Sequence, residues 1–235
     1  MPQAFRVDRL KPAAYLAIGL VACRPVLPPL LPAGLEAIDS TQVLAWVDST
    51  RPADRTLLRF TWLFREEKAS KGGRGAVRFA PPDTIRLDFQ GSLGIGRGSA
   101  LLIGDSAIWM KPTGSIDDLV PAVPLFWAML GVARPPAPEA RLSALDQPGR
   151  VVWRYARERD TLDYLLVRSE PGELQAEMRR NKTTVGRTRF TRGETGDPAR
   201  ATLNVPSGPA KLEIKFYAIQ HPDSFATDTW NPPGD

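Results

Sequence analysis

Eleven short runs in which apolar and polar residues alternate with a period of two constrain this chain more than any other feature. Leu58, Phe60, Trp62 and Phe64 alternate with Arg59, Thr61 and Leu63, and Ile85, Leu87 and Phe89 alternate with Arg86, Asp88 and Gln90. Successive side chains of a strand point to opposite faces, so each run specifies a strand with one buried and one solvated side. The texture recurs at Val77 and Phe79, at Leu101 and Ile103, and over residues 106–110, 151–155, 162–166, 174–178, 185–190, 201–205 and 212–216. Turn signals such as Lys71-Gly72-Gly73, Pro81-Pro82-Asp83 and Gly104-Asp105 bound the runs. The expected fold is mainly β with α+β character: a single curved antiparallel sheet of about eleven strands.

Two helices interrupt this pattern. Leu35, Ile38, Val43, Leu44 and Val47, with Trp46 beside them, recur at roughly helical spacing and predict one amphipathic helix before the strands. Over residues 117–133, Leu119, Val123, Phe126 and Leu130 share a helical face, with Asp117 or Asp118 to cap the start and Gly131 to end it. Pro121 and Pro124 place the start of the helix proper near Pro124. A twisted sheet of this many strands tends to curl, so the pattern predicts a half-open barrel with helices in its concave face. Trp46, Phe60, Trp62, Phe64, Leu87, Phe89, Trp109, Phe126, Trp127 and Leu130 are the candidates for a hydrophobic cavity there. The same residues could equally fill a dry core.

The first two dozen residues stand apart. Arg6, Arg9 and Lys11 precede an apolar stretch from Ala13 to Ala22, the charge and length of a secretory signal and about half the ~20 residues needed to span a bilayer. It ends in Leu20-Val21-Ala22-Cys23, which resembles the lipobox of bacterial lipoproteins, where the cysteine thiol is acylated. Cys23 is the only cysteine, and lipidation explains it without a partner. Residues 24–32, RPVLPPLLP, read as a stiff proline-rich tether. The expected organisation is a signal over 1–22, a lipidated Cys23 and tether over 23–32, and one domain over 33–235. Removing the signal lowers the formal net charge from +5 to +3. With 31 Lys+Arg against 26 Asp+Glu the chain is only mildly basic, which excludes an arginine-rich nucleic-acid arm. One Cys and one His leave no ordinary zinc or haem site, and no cofactor is expected.

Three patterns resemble catalytic motifs and have simpler explanations. Gly94-Ile95-Gly96-Arg97-Gly98 has strands on both sides, whereas a phosphate-binding loop joins a strand to a helix. Gly104-Asp105-Ser106 resembles a hydrolase block, but the only base would be His221, and Ala218 stands three residues before it where an Asp is needed. Asp83, Asp88, Asp117 and Asp118 fall at turns, on a polar strand face and at a helix start. The expectation is a protein without covalent chemistry. Arg179-Arg180-Asn181-Lys182, with Arg187, Arg189 and Arg192, reads as a hairpin between solvated strands, or as a basic patch for an acidic carrier or anionic head groups.

The order of features from Gly75 to Lys111 resembles the LolB-like outer-membrane lipoprotein receptors, in the wider group that includes the periplasmic carrier LolA. In those proteins an R-x-R-L-x-L strand leads into a Pro-Leu-Gly loop, a strand, a Gly-Asp turn and a strand ending in an aromatic. Here the order is Ile85-Arg86-Leu87-Asp88-Phe89, Ser92-Leu93-Gly94, Leu101 to Ile103, Gly104-Asp105 and Ile108-Trp109, with Ser92 where Pro is usual. The resemblance implies a monomeric receptor that accepts acylated lipoproteins from a LolA-like periplasmic carrier, holds their acyl chains in the half-barrel and releases them into the outer membrane. It places Leu93, with Ile95 nearby, in a membrane-insertion loop. It also implies attachment to membrane lipid through Cys23 at the periplasmic face, with no nucleic acid partner.

Overall fold

The computed structural model describes residues 30–92, 96–111, 121–206 and 210–232. In chain order these form β1 (Glu36–Ala37), α1 (Ser40–Ser49), β2 (Thr56–Arg65), β3 (Ser70–Ala80), β4 (Thr84–Gly91), β5 (Arg97–Ile103), β6 (Ser106–Lys111) and α2 (Val123–Met129). There follow β7 (Arg141–Gln147), β8 (Arg150–Arg157), β9 (Asp160–Val167), β10 (Glu173–Arg180), β11 (Thr183–Arg192), β12 (Pro198–Val205), β13 (Ala210–Gln220) and a 3-10 turn at Thr227–Trp230. All strands join one open antiparallel sheet in the order β1-β7-β8-β9-β10-β11-β12-β13-β2-β3-β4-β5-β6. The sheet has 13 strands, not about eleven. β1 is two residues long and β7, RLSALDQ, hides its alternation behind Ala144 and Ser143, so neither carries a readable period.

The alternation sorts the side chains as expected. Trp62 lies opposite Ile214, Phe64 opposite Leu212, and Leu203 opposite Leu212 on the next strand. These residues share one face with the main hydrophobic cluster and with both helices. Asp39 caps α1, its Oδ1 accepting from the Thr41 N–H at 2.6 Å, and Val43, Trp46 and Val47 are the helix's buried positions, a spacing that keeps them on one side. In α2 every residue from Leu125 to Met129 is buried. A helix apolar all round belongs inside a core. It is shorter than the predicted 117–133: Pro124 sits in its first turn, Leu130 caps it and Gly131 takes φ +80°, while 117–120 lie outside the described residues.

Two local readings change. Lys71-Gly72-Gly73 is not a turn but the body of β3; the turn closes earlier, where the Glu66 N–H donates to the Ala69 carbonyl at 2.8 Å. Glycine is needed there for closeness. A Cβ on Gly73 would lie 1.9 Å from the Gln90 carbonyl oxygen, and one on Gly75 would lie 2.3 Å from the Phe60 ring. The second change is a bulge between β5 and β6: Ala107 pairs with Leu102, but Trp109 pairs with Leu101, leaving Ile108 as the extra residue. A bulge of one residue flips every side chain beyond it to the other face.

Candidate functional site

The bulge decides where the predicted cavity residues go. Trp46, Phe60, Leu87, Phe126, Trp127 and Leu130 are buried in the cluster on the helix-bearing face, and Trp62, Phe64 and Phe89 pack against it half-buried. Trp109 lies on the opposite face, where its Nε1–H donates to the Trp230 carbonyl at 3.2 Å and the Arg86 guanidinium stands 5.5 Å over its ring. The structure therefore brings nine of the ten together. Their interior is closely filled: Trp127 has no exposed surface and stands edge-on to Phe79, Trp153 lies 5.8 Å from Trp46, and Trp153 stacks on Tyr164 at 5.1 Å. Cys23, Leu93 and Ile95 lie outside the described residues.

The chain segment just after α2 is the hub of this face. The Trp127 Nε1–H donates to the Gly104 carbonyl at 2.9 Å, and the Ala133 N–H donates to Thr50 Oγ1 at 2.9 Å, tying α2 to the β5–β6 turn and to the end of α1. The Arg134 N–H donates to the Tyr164 hydroxyl at 3.1 Å, and the Tyr155 hydroxyl donates to the Arg134 carbonyl at 3.0 Å. The buried Arg134 side chain reaches the other way: Nε lies 2.8 Å from Asp105, Nη2 3.9 Å from Asp83, and the guanidinium covers the Trp127 ring at 4.7 Å. β8 and β9 are third and fourth in the strand order and β6 is last. One residue touches both regions, so the sheet curls around it. Burial pushes the phenols of Tyr155 and Tyr164 well above the usual tyrosine range.

A pocket of about 310 Å³ opens beside this hub. Ser49 and Thr50 at the end of α1, Gly131 after α2, and the ends of β9, β10 and β11 surround it. Leu166, Leu174 and Phe190 supply an apolar wall. Arg192 crosses the rim: its guanidinium stands 5.6 Å over the Phe190 ring, its Nη1 donates to the Gly196 carbonyl at 2.8 Å, and burial pulls its pKa down. Of the other rim charges, Arg168 is paired with Asp146 at 3.0 Å and Glu173 with Arg189, while Glu170 also lines the rim. Sequence reasoning noted Gly131 only as a helix stop and Arg192 only as part of a basic run. The remaining lining residues come from separate elements whose ends meet in space, and no local pattern marks them.

The opposite face carries the charges. Glu177 and Asp163 are fully buried and directly opposite one another on β10 and β9. Arg154 grips Asp163 with two hydrogen bonds, at 2.6 and 2.8 Å, while Arg179 and Arg187 both bind Glu177. Burying carboxylates is tolerable only with such pairing. The basic run that stood out in the sequence is thus largely engaged, and Asn181 and Lys182, with φ +49° and +66°, form its tight hairpin turn. Asp105 is bound to Arg134, and the His221 Nδ1 lies 3.4 Å from Thr56 Oγ1. Among the described residues no group of His, Cys, Asp and Glu has an arrangement that could hold a metal, and no helix is long and apolar enough to cross a membrane.

No protein-family model matches the chain, and no curated protein matches it. Similar solved structures include a LolA superfamily protein from Nitrosomonas europaea, 13% identical over 80% of this chain and 96% of that one, with a TM-score of 0.48. Another is a Vibrio parahaemolyticus domain described as an outer membrane lipoprotein-sorting protein, 8% identical over 82% of this chain and 97% of that one, with a TM-score of 0.49.

Proposed function

We propose that the chain is a lipid-anchored envelope protein that holds acyl chains of lipoproteins against the helix-bearing face and helps insert them into the outer membrane. The observation that carries this reading is the pocket between the ends of both helices and of β9, β10 and β11. Its wall of Leu166, Leu174 and Phe190 suits an apolar chain, and the partly desolvated Arg192 at its rim suits a carbonyl or carboxylate head. Half-buried Trp62, Phe64 and Phe89 extend the same face as further apolar contact surface. In this reading Cys23 carries the lipid anchor, Leu93 and Ile95 form the insertion loop, and a soluble LolA-like carrier delivers the cargo.

The test is native mass spectrometry with lipid extraction on residues 24–235, followed by titration with a fluorescent fatty acid. The reading expects a co-purifying lipid or one bound acyl probe per chain, with affinity reduced about tenfold or more by Leu166→Trp, which fills the pocket. A folded protein that carries no lipid and ignores the probe overturns it. The second reading then stands: an assembly lipoprotein with a filled core, favoured by the complete burial of Trp127, Trp153 and Tyr164.

A further inference from the structure

We infer that the face opposite the helices, over strands β12, β13, β2, β3, β4 and β5, docks onto an anionic lipid surface through a cross-strand row of cations. Arg200 lies opposite Lys215, Lys215 opposite Thr61, Thr61 opposite Arg74, Arg74 opposite Gln90 and Gln90 opposite Arg97. Residues directly opposite in a sheet share a face, and strands lie about 4.8 Å apart, so the row crosses about 24 Å of surface. It contains four cations and no acid, and Arg200, Lys215, Arg74 and Arg97 are all exposed. Among the described residues none of these four side chains makes an ion pair with a carboxylate, and only Arg200 stands near enough to Glu213 to help hold its carboxyl down.

The neighbouring carboxylates compensate the row only weakly, because their ion pairs are with other cations. Glu213, two residues from Lys215 on β13, binds Lys211 at 2.7 Å and Arg65 at 3.1 Å, and these cations hold its carboxyl below the usual range. Asp88, two residues from Gln90 on β4, binds Arg78 at 2.6 Å and Arg86 at 3.0 Å. Placing Arg200 directly opposite Lys215 destabilises the sheet. The contrast with β9 and β10 is sharp, since there every buried carboxylate is matched by arginine. A row of cations whose nearest carboxylates are paired elsewhere points to an external anion.

The chemistry of the row favours lipid head groups over an acidic protein. Protein interfaces centre on large apolar or aromatic anchors and are poor in lysine at their middle. Here the residues between the cations are Thr61 and Gln90, with Gly72 and Ala76 on the adjoining positions of β3. Among the described residues the large apolar side chain exposed beside the row is Tyr217, two residues from Lys215 on β13, a single amphipathic ring and not a cluster of buried anchors. A lipid surface needs none, because its phosphates rearrange to meet long, separate side chains, and guanidinium groups bind phosphate in a planar fork. This inference does not depend on the acyl pocket.

Every described strand, both described helices and the described core lie within residues 31–230, so residues 24–235 hold all of them. That protein is floated with phosphatidylcholine vesicles with and without phosphatidylglycerol, at low ionic strength. Binding is expected only to the anionic vesicles, and added salt weakens it. The combined variant Arg74→Gln, Arg97→Gln, Arg200→Gln, Lys215→Gln is expected to lose about 100-fold in affinity. Its melting temperature stays the same or rises as repulsion is relieved, and it binds the fatty-acid probe as before. The charge-matched variant Arg150→Gln, Arg157→Gln, Arg159→Gln, Arg180→Gln is expected to stay within about threefold of the parent. Single Arg74→Gln and Lys215→Gln variants, each expected to lose about fivefold, keep the test decisive if the combined variant fails to fold. Absence of binding to anionic vesicles, equal losses in the two charge-matched variants, or binding to polyglutamate in place of vesicles overturns the inference.

Discussion

The two sides of the sheet's central seam are built to different standards. Around β8 to β10, aromatic rings stack without exposed surface on the helix-bearing face, and the buried carboxylates opposite are all held by arginines. Around β2 to β4, Trp62, Phe64 and Phe89 keep part of their surface in solvent, and the opposite face leaves Arg74 without a carboxylate among the described residues. The first region is closed on both faces along its middle, whereas the second keeps exposed positions on both. Burial concentrates along the middle of β8 to β10, exposed surface concentrates along β2 to β4, and the pocket opens at the ends of β9, β10 and β11, where the closed region gives way.

Three experiments break or sharpen that contrast. The largest difference is expected between two tryptophans on the same face. Trp153→Ala removes a fully buried ring that donates to the Tyr155 hydroxyl at 3.0 Å, at about 4–5 kcal/mol in urea unfolding, whereas Trp62→Ala costs about 1–2 kcal/mol. Equal losses would erase the distinction. Next come two glutamates on the opposite face. Glu177→Ala strands Arg179 and Arg187 and is expected to cost about 3 kcal/mol, while Glu213→Ala changes stability by at most about 1 kcal/mol because its partners are solvated.

The smallest per side chain of the three effects is a pH dependence confined to the closed region. The Tyr155 and Tyr164 phenols have folded pKa values raised by burial, so the stability they contribute is intact below the unfolded value of about 10. Above it the unfolded chain loses protons that the folded chain keeps. Stability therefore falls by about 1.4 kcal/mol per pH unit for each phenol, a slope that urea unfolding at alkaline pH measures directly. In both Tyr155→Phe and Tyr164→Phe the slope halves. A wild-type protein with no slope above pH 10 would show that the hub is wetter than its geometry indicates.

Most of the fold was legible because alternation and burial agree residue by residue, as in Leu58 to Thr61. What escaped depended on register, which is fixed between strands and leaves no trace along one of them. Trp109 reads as inward by simple alternation from Ala107, and only the extra Ile108 turns it out. Gly72 and Gly73 look like a turn until the Gln90 carbonyl is seen to pass against them. The pocket was invisible for the same reason, since Thr50, Leu166 and Phe190 are far apart in the chain. The charged run at 179–192 was conspicuous and proved mostly engaged, whereas Arg74 and Lys215 became neighbours of the same row only through strand pairing.

The order of the sheet also governs when the molecule can form. Among the described strands, β13 comes last in the chain and is the one strand that pairs with both the block β2 to β6 and the block β7 to β12, meeting residues 57–65 on one side and 200–205 on the other. A growing chain that has not yet reached residue 210 consists of two meanders with raw edges that cannot complete a common sheet. Joining them demands contacts between near-opposite ends of the sequence, a slow step in folding. The polypeptide therefore cannot close its sheet until residues 210–220 have been made, and every step before that leaves two separate half-sheets.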